Sequence, residues 1–225
     1  MQSTFSRRAL PAAAFLFAAT APAMAETLTQ PTTVVELFTS QGCSSCPSAN
    51  AALVKLDQQR PAALTLTYGV TYWDYLGWAD TFGDVNFTKR QRQYDAALKS
   101  GVYTPMMVVA GRRHASKFKR DMLQRAYVPE TVSLVRESGE LCIEADLPRG
   151  AKLALVDYEP GIQIVHVEKG ENSGRKLTLA NVVRSIDYRD WDGHMICGLH
   201  PTSALAVLAH DPDTAAIIGA ARLEP

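Results

Sequence analysis

Two cysteines two residues apart, set between an apolar run and a helical one, constrain this chain more than any other feature. Val34-Val35-Glu36-Leu37-Phe38 is apolar and β-prone, Thr39-Ser40-Gln41-Gly42 is a small polar turn, and Cys43-Ser44-Ser45-Cys46-Pro47 follows. Ala49, Ala52, Leu53 and Leu56 then recur at helical spacing. The thiols are thus placed where a strand hands over to a helix spanning Pro47 to Gln59. At such a junction unpaired backbone N–H groups and the helix dipole favour an anion. Cys43 is expected at or just before the helix N-terminus as an accessible thiolate of lowered pKa, and Cys46 one turn inside, within reach of it. Pro47 fits the first turn, where its missing N–H costs nothing. Two other readings of the pair are a metal half-site and a purely structural disulfide. Zinc needs about four ligands, usually from a second close pair. Cys142 and Cys197 are isolated, and there is no His-x-x-x-His pair.

Lysine plus arginine equals aspartate plus glutamate at 23 each, so no basic surplus points to nucleic acid. The first 25 residues read as a secretory signal peptide: Arg7-Arg8, an apolar stretch from Ala9 to Ala21, and a small-x-small cleavage site at Ala23-Met24-Ala25. The stretch is short, carries Pro11 and is followed at once by Pro22, against the roughly 20 apolar residues of a membrane span. No stable membrane insertion is expected once it is removed. Cleavage deletes two arginines and no acid, taking the net charge from zero to −2. The expected location is periplasmic or secreted, where disulfides persist; Ser6-Arg7-Arg8 also permits a twin-arginine route.

Leu64 to Val70 alternates and reads as a second strand, parallel to the first across a crossover helix. Thr71-Tyr72-Trp73-Asp74-Tyr75-Leu76-Gly77-Trp78-Ala79-Asp80 is too polar and irregular for a core strand. It is read as a loop at the strand ends that also carry Cys43, its rings Tyr72, Trp73 and Trp78 shaping a groove; the same rings also suit packing onto the sheet. Phe87, Gln91, Tyr94 and Leu98 mark one face of a helix capped by Asn86 or Thr88. Met106 to Ala110 is a strand headed by Thr104-Pro105, where a cis bond accounts for a proline at that position. Ser116 is expected to cap a last helix carrying Phe118, Met122, Leu123 and Ala126.

This order of elements resembles the thioredoxin fold. The resemblance implies that Cys43 is the attacking thiol, Cys46 the resolving thiol and Pro105 a cis-proline that, with Thr104, faces them and helps bind a partner chain. More narrowly, Glu36 to Pro47, Tyr72 to Trp78, Tyr103-Thr104-Pro105, Asn181-Val182-Val183-Arg184 and Trp191-Asp192-Gly193 are similar to an uncharacterised secreted thioredoxin-like family, domain of unknown function 1223. Gly69-Val70-Thr71 stands where that family often shows His-Val-Asp, and Met106 where it often shows glutamine. Both differences remove polar groups expected near the thiols.

From about Thr131 short β-prone runs alternate with turn signals. They are Thr131–Val135, Leu141–Ala145, Lys152–Tyr158, Ile162–Glu168, Lys176–Asp187, Met195–Leu199, Leu205–Ala209 and Ala215–Ala221. The fold class expected is therefore an α/β thioredoxin-like domain over residues 26–129, followed by a mainly β, sandwich-like C-terminal domain over residues 130–225. Cys142 and Cys197 lie in two of these strands. In an exported chain they are candidates for a structural disulfide, with buried free thiols and a second redox pair as the alternatives.

The function expected is an exported thiol–disulfide oxidoreductase acting on protein thiols and disulfides, with no cofactor beyond its own two cysteines. The alternative is a non-catalytic exported binding protein for a peptide or Cu(I), in which Cys43–Cys46 only staples the scaffold.

Overall fold

β2 (Thr33–Thr39) and β3 (Ala63–Gly69) are buried along their whole length. They pair in parallel, Thr33 opposite Ala63 through Thr39 opposite Gly69, with α1 (Pro47–Gln59) as the crossover. A strand covered on both faces reads as a near-continuous apolar run, which is what Val34 to Phe38 shows. β4 (Met106–Val109) lies antiparallel on the other side of β2, followed by β5 (Arg113–Ala115). α2 (Val85–Leu98) is capped by Asp84, whose side chain accepts from Asn86 N at 2.7 Å, ahead of both expected caps, Asn86 and Thr88.

The computed structural model describes residues 27–224; the expected signal peptide, residues 1–25, lies outside the described residues. The remaining strands are β1 (Thr27–Thr29), β6 (Val132–Glu137), β7 (Glu140–Ala145), β8 (Lys152–His166), β9 (Lys176–Asp190), β10 (Ile196–Leu199), β11 (Ala204–His210) and β12 (Ile217–Glu224). Nine strands form one mixed sheet in the order β1-β12-β11-β8-β9-β3-β2-β4-β5, and β10-β7-β6 form a second.

This overturns the expected fold class. The chain is mostly β, with twelve strands and two α-helices among the described residues, and is not a helix-flanked thioredoxin-like α/β domain followed by a sandwich. Strands from both sides of Pro129 share the large sheet: β9 pairs β3 through Thr67 and Val182, and β1 pairs β12. A bare edge of β3 would leave N–H and C=O groups unpaired, and β9 supplies the partner. The last expected helix is also absent. Residues 116–126 form only a 3-10 turn at Arg120–Leu123, since so short a segment gains little from helix propagation. Met122 and Ala126 are still buried against Leu53 and Val109.

The large sheet rolls up. β2 and β11 stand four places apart in its order, yet Glu36 and His210, one from each, meet on the same side chain, Arg90 of α2. Ile217 N donates to Ala110 O at 2.9 Å, tying the start of β12 to the end of β4. The concave face is one cluster, with Val34, Phe38, Leu66, Tyr68, Val156, Tyr158, Ala206 and Leu208, and α2 adds Phe87 and Tyr94 to it. Each such leucine or phenylalanine contributes about 1.5–3 kcal/mol on burial. The roll is thus held by its lining rather than by the one residue pair between β3 and β9. The small sheet covers the opposite face through Leu134, Leu141 and Ile143, against Leu153, Val207 and Leu223.

Candidate functional site

β2 ends at Thr39, and Ser40 to Cys46 turn the chain into α1. Cys43 and Cys46 are disulfide-bonded. Cys46 is the N-cap residue and Pro47 opens the helix, so Cys43 lies three residues outside it. Cys43, expected at or just before the helix N-terminus, lies before it, but Cys46, expected a turn inside, is only its cap. The reason is Pro47: with no N–H and a fixed φ, it is best placed at the first helical position. The helix dipole therefore acts most directly on Cys46. Ser45 Oγ lies 3.4 Å from Cys43 Sγ.

Register brings the proline loop to the same end of the sheet. Met106 pairs with Phe38, so Pro105 stands level with Thr39, and the Thr104–Pro105 bond is cis. Trp73 bridges the two loops. Its indole N–H donates to Thr104 Oγ1 at 2.7 Å, and a Cβ on Gly42 would stand 3.4 Å from its side chain. Trp78 donates to Gln41 Oε1 at 2.8 Å, and the Tyr72 ring centroid lies 6.2 Å from that of Trp73. Thus Cys43, Cys46, Thr104, Pro105, Trp73 and Trp78 belong to one continuous structure. The buried Tyr72 hydroxyl has no hydrogen-bond partner among the described residues.

The disulfide is covered. Cys43 is 1% exposed and Cys46 0%. The cover is the turn between β8 and β9, residues 167–175, which the sequence marks only as Asn-Ser-Gly turn chemistry. Asn172, 0% exposed, donates both amide hydrogens, to Gln41 O at 2.8 Å and Cys43 O at 2.9 Å. Its Oδ1 accepts from Arg175 at 2.9 Å, and Glu171 Oε2 accepts from Ser44 N at 3.1 Å. The expectation of an exposed Cys43 is corrected accordingly: this contact spans 129 residues of sequence and leaves no local signal.

Asp80 holds the turn that carries the cysteines, accepting from Gln41 N at 2.8 Å, and also accepts from Phe82 N at 2.9 Å. Burial raises its carboxyl to about 6 against the pull of those two N–H groups. Sequence reading did not single out Asp80, Gln41 or Asn172. Nor did it find Glu36–Arg90, an ion pair at 2.6 Å with both side chains buried. One signal for that pair existed: Arg90 lies three residues after Phe87 and four before Tyr94, on the apolar face of α2.

Cys142 of β7 and Cys197 of β10 form the second disulfide, the first residue buried and the second exposed. Among the described residues no three His, Cys, Asp or Glu side chains gather as a metal site, and no helix is long and apolar enough to cross a membrane.

These features define a mostly β chain with a capped Cys-x-x-Cys disulfide at the end of its central parallel strand pair. The family described as protein of unknown function (DUF1223) matches residues 34–218, and the chain belongs to that family. The chain is also similar to a protein from Agrobacterium tumefaciens of known crystal structure. That structure shares 32% identity and a TM-score of 0.71, covering 87% of this chain and 95% of the other. No curated protein matches it.

Proposed function

We propose that this chain is an exported thiol–disulfide exchange protein whose working pair is Cys43–Cys46. The observation that carries the reading is how the disulfide is enclosed. Asn172 and Glu171 of a polar turn are bonded to the backbone at Gln41, Cys43 and Ser44, so a local opening of that turn gives access to the buried sulfurs. Once the disulfide is uncovered, a partner thiolate attacks Cys43 Sγ, the Cys43–Cys46 bond breaks, and Cys46 leaves as a thiolate at the helix N-cap, where the dipole favours it. A second partner thiol then displaces Cys43, giving a partner disulfide and two protein thiols. The reverse sequence starts from the Cys43 thiolate and reduces a partner disulfide. Trp73, Trp78, Thr104 and Pro105 flank the approach. Export is supported by the Arg7-Arg8 leader with its Ala23-Met24-Ala25 site and by two disulfides in one chain.

The test is capture. Cys46→Ser is expected to hold partners as mixed disulfides through Cys43, detected by mass spectrometry, while Cys43→Ser/Cys46→Ser captures none. Equal recovery from both variants, with no reduction of insulin-type disulfides, ends the proposal. The near-zero exposure of both sulfurs supports one other reading, a binding scaffold stapled by this bond. A reduction potential below about −300 mV marks that staple, and a higher one a reactive pair.

A further inference from the structure

A cavity of about 570 Å³ lies between α2 and the rolled sheet, lined by none of the residues that enclose Cys43. That volume is in the ordinary range for small-molecule sites. α2 gives one wall through Arg90, Gln93, Tyr94 and Ala97. Tyr188 and His210 line the sheet side, and the turn Asp211–Ala215 forms the far rim.

The floor is cationic and fixed in place. Arg90 is 2% exposed and carries five N–H donors. Nε donates to Glu36; Nη2 donates to Tyr94 Oη at 3.0 Å and to His210 Nε2 at 3.1 Å. His210 Nδ1 faces Ala215 O at 3.1 Å and must carry the ring hydrogen, which leaves Nε2 as acceptor. Among the described residues Nη1 has only Tyr188 Oη, at 3.5 Å, so one of its hydrogens is uncommitted, and Arg90 lines the cavity. The rim is acidic. Lys152 is paired with Asp190, and Arg189 with Asp187. Asp211 is bonded to Asp213 N and Thr214 Oγ1, and neither Asp211 nor Asp213 meets a cation among the described residues. Between floor and rim lie the rings of Tyr94 and Tyr188 with Ala97, Pro212 and Ala215.

A spare guanidinium donor at the base, unpaired carboxylates at the lip and apolar walls between them are complementary to one kind of small molecule. We propose that this cleft binds a small zwitterion, a free amino acid or dipeptide with an apolar side chain, its carboxylate toward Arg90 and its ammonium toward Asp211 and Asp213. An anion alone would meet the acidic rim, and a cation alone the guanidinium. This site shares no residue with the capped disulfide and does not depend on its chemistry.

Calorimetric titration of the full chain with L-phenylalanine, N-acetyl-L-phenylalanine and L-phenylalanine amide tests it. Saturable binding of phenylalanine is expected, with both blocked forms weaker by about tenfold or more, because each loses one charge-assisted contact. Asp213→Asn, at an exposed turn, should weaken phenylalanine about threefold. Ala97→Trp, on the exposed side of α2, should abolish binding by filling the cleft, with the circular dichroism of both variants unchanged. Absence of saturable heat up to about 10 mM overturns the proposal. So does equal affinity for the blocked forms, or binding that survives Ala97→Trp.

Discussion

At the residue scale, buried charge sets the largest single effects. Burial alone would raise the Glu36 carboxyl, but Arg90 and the Tyr94 hydroxyl outweigh it and hold the group below the usual carboxylate range. Removing one member of such a pair strands the other in a low-dielectric interior. Arg90→Ala is therefore expected to lower stability by about 3–5 kcal/mol, read from urea denaturation. Asp80 behaves in the opposite way. Burial raises its folded value from 3.8 to about 6, so the folded state binds the proton more tightly than the unfolded chain. Its contribution is fully present below the unfolded value and is lost as pH rises through about 6. Asp80→Asn should therefore gain on the wild type by up to about 3 kcal/mol between roughly pH 4 and pH 7 in paired denaturation curves. A flat difference between the two curves would mean that Asp80 is not desolvated as its surroundings imply. His210 has the reverse sign. Burial first, then Arg90, lowers it to about 4, so its contribution is present above the ordinary histidine value and is lost as pH falls through about 4.

At the scale of elements, the β8–β9 turn decides whether the disulfide can react. The Asn172 side chain makes three hydrogen bonds with no solvent contact, and none of them lies within the sheet ladder. Asn172→Ala leaves β8 and β9 their long antiparallel pairing and removes only the clasp. Reduction of Cys43–Cys46 by dithiothreitol should then accelerate about tenfold or more, since each buried bond contributes about 1 kcal/mol to the closed state. Alkylation followed by mass spectrometry measures this at each cysteine, with Cys142–Cys197 as the internal reference. An unchanged rate would show that the turn is not the barrier. β2, α1, β3 and α2 were all legible in the chain, because each carries its own periodicity and boundary residues. The turn's second role was not legible: Asn172 looks like turn chemistry from its neighbours, and only the folded chain brings it to Cys43.

At the scale of the whole molecule, the two disulfides stand in different relations to the chain. Cys142–Cys197 spans 55 residues and links β7 to β10, whereas Cys43–Cys46 spans three. In the chain-entropy view, loss of the longer link costs about 4 kcal/mol. Cys142→Ser/Cys197→Ser should accordingly shift the urea midpoint strongly, and Cys43→Ser/Cys46→Ser much less. The reverse order would place the structural staple at the Cys-x-x-Cys pair. The sheet is the other whole-molecule feature. It draws strands from both ends of the chain, with β1 against β12, and its concave face is a single core.

The sequence alone determined the local grammar: an apolar strand, a polar turn with two cysteines, a proline-started helix, a proline-led strand and a β-rich second half. Those features follow from side-chain periodicity, capping and backbone restriction, which act over a few residues. Only the tertiary structure decided that the second half adds its strands to the first sheet, that the sheet rolls until Glu36 and His210 share Arg90, and that Asn172 covers the disulfide. Strand pairing and the enclosure of a polar group depend on partners far away in the chain, and periodicity shows that a strand needs a neighbour without showing which one it takes.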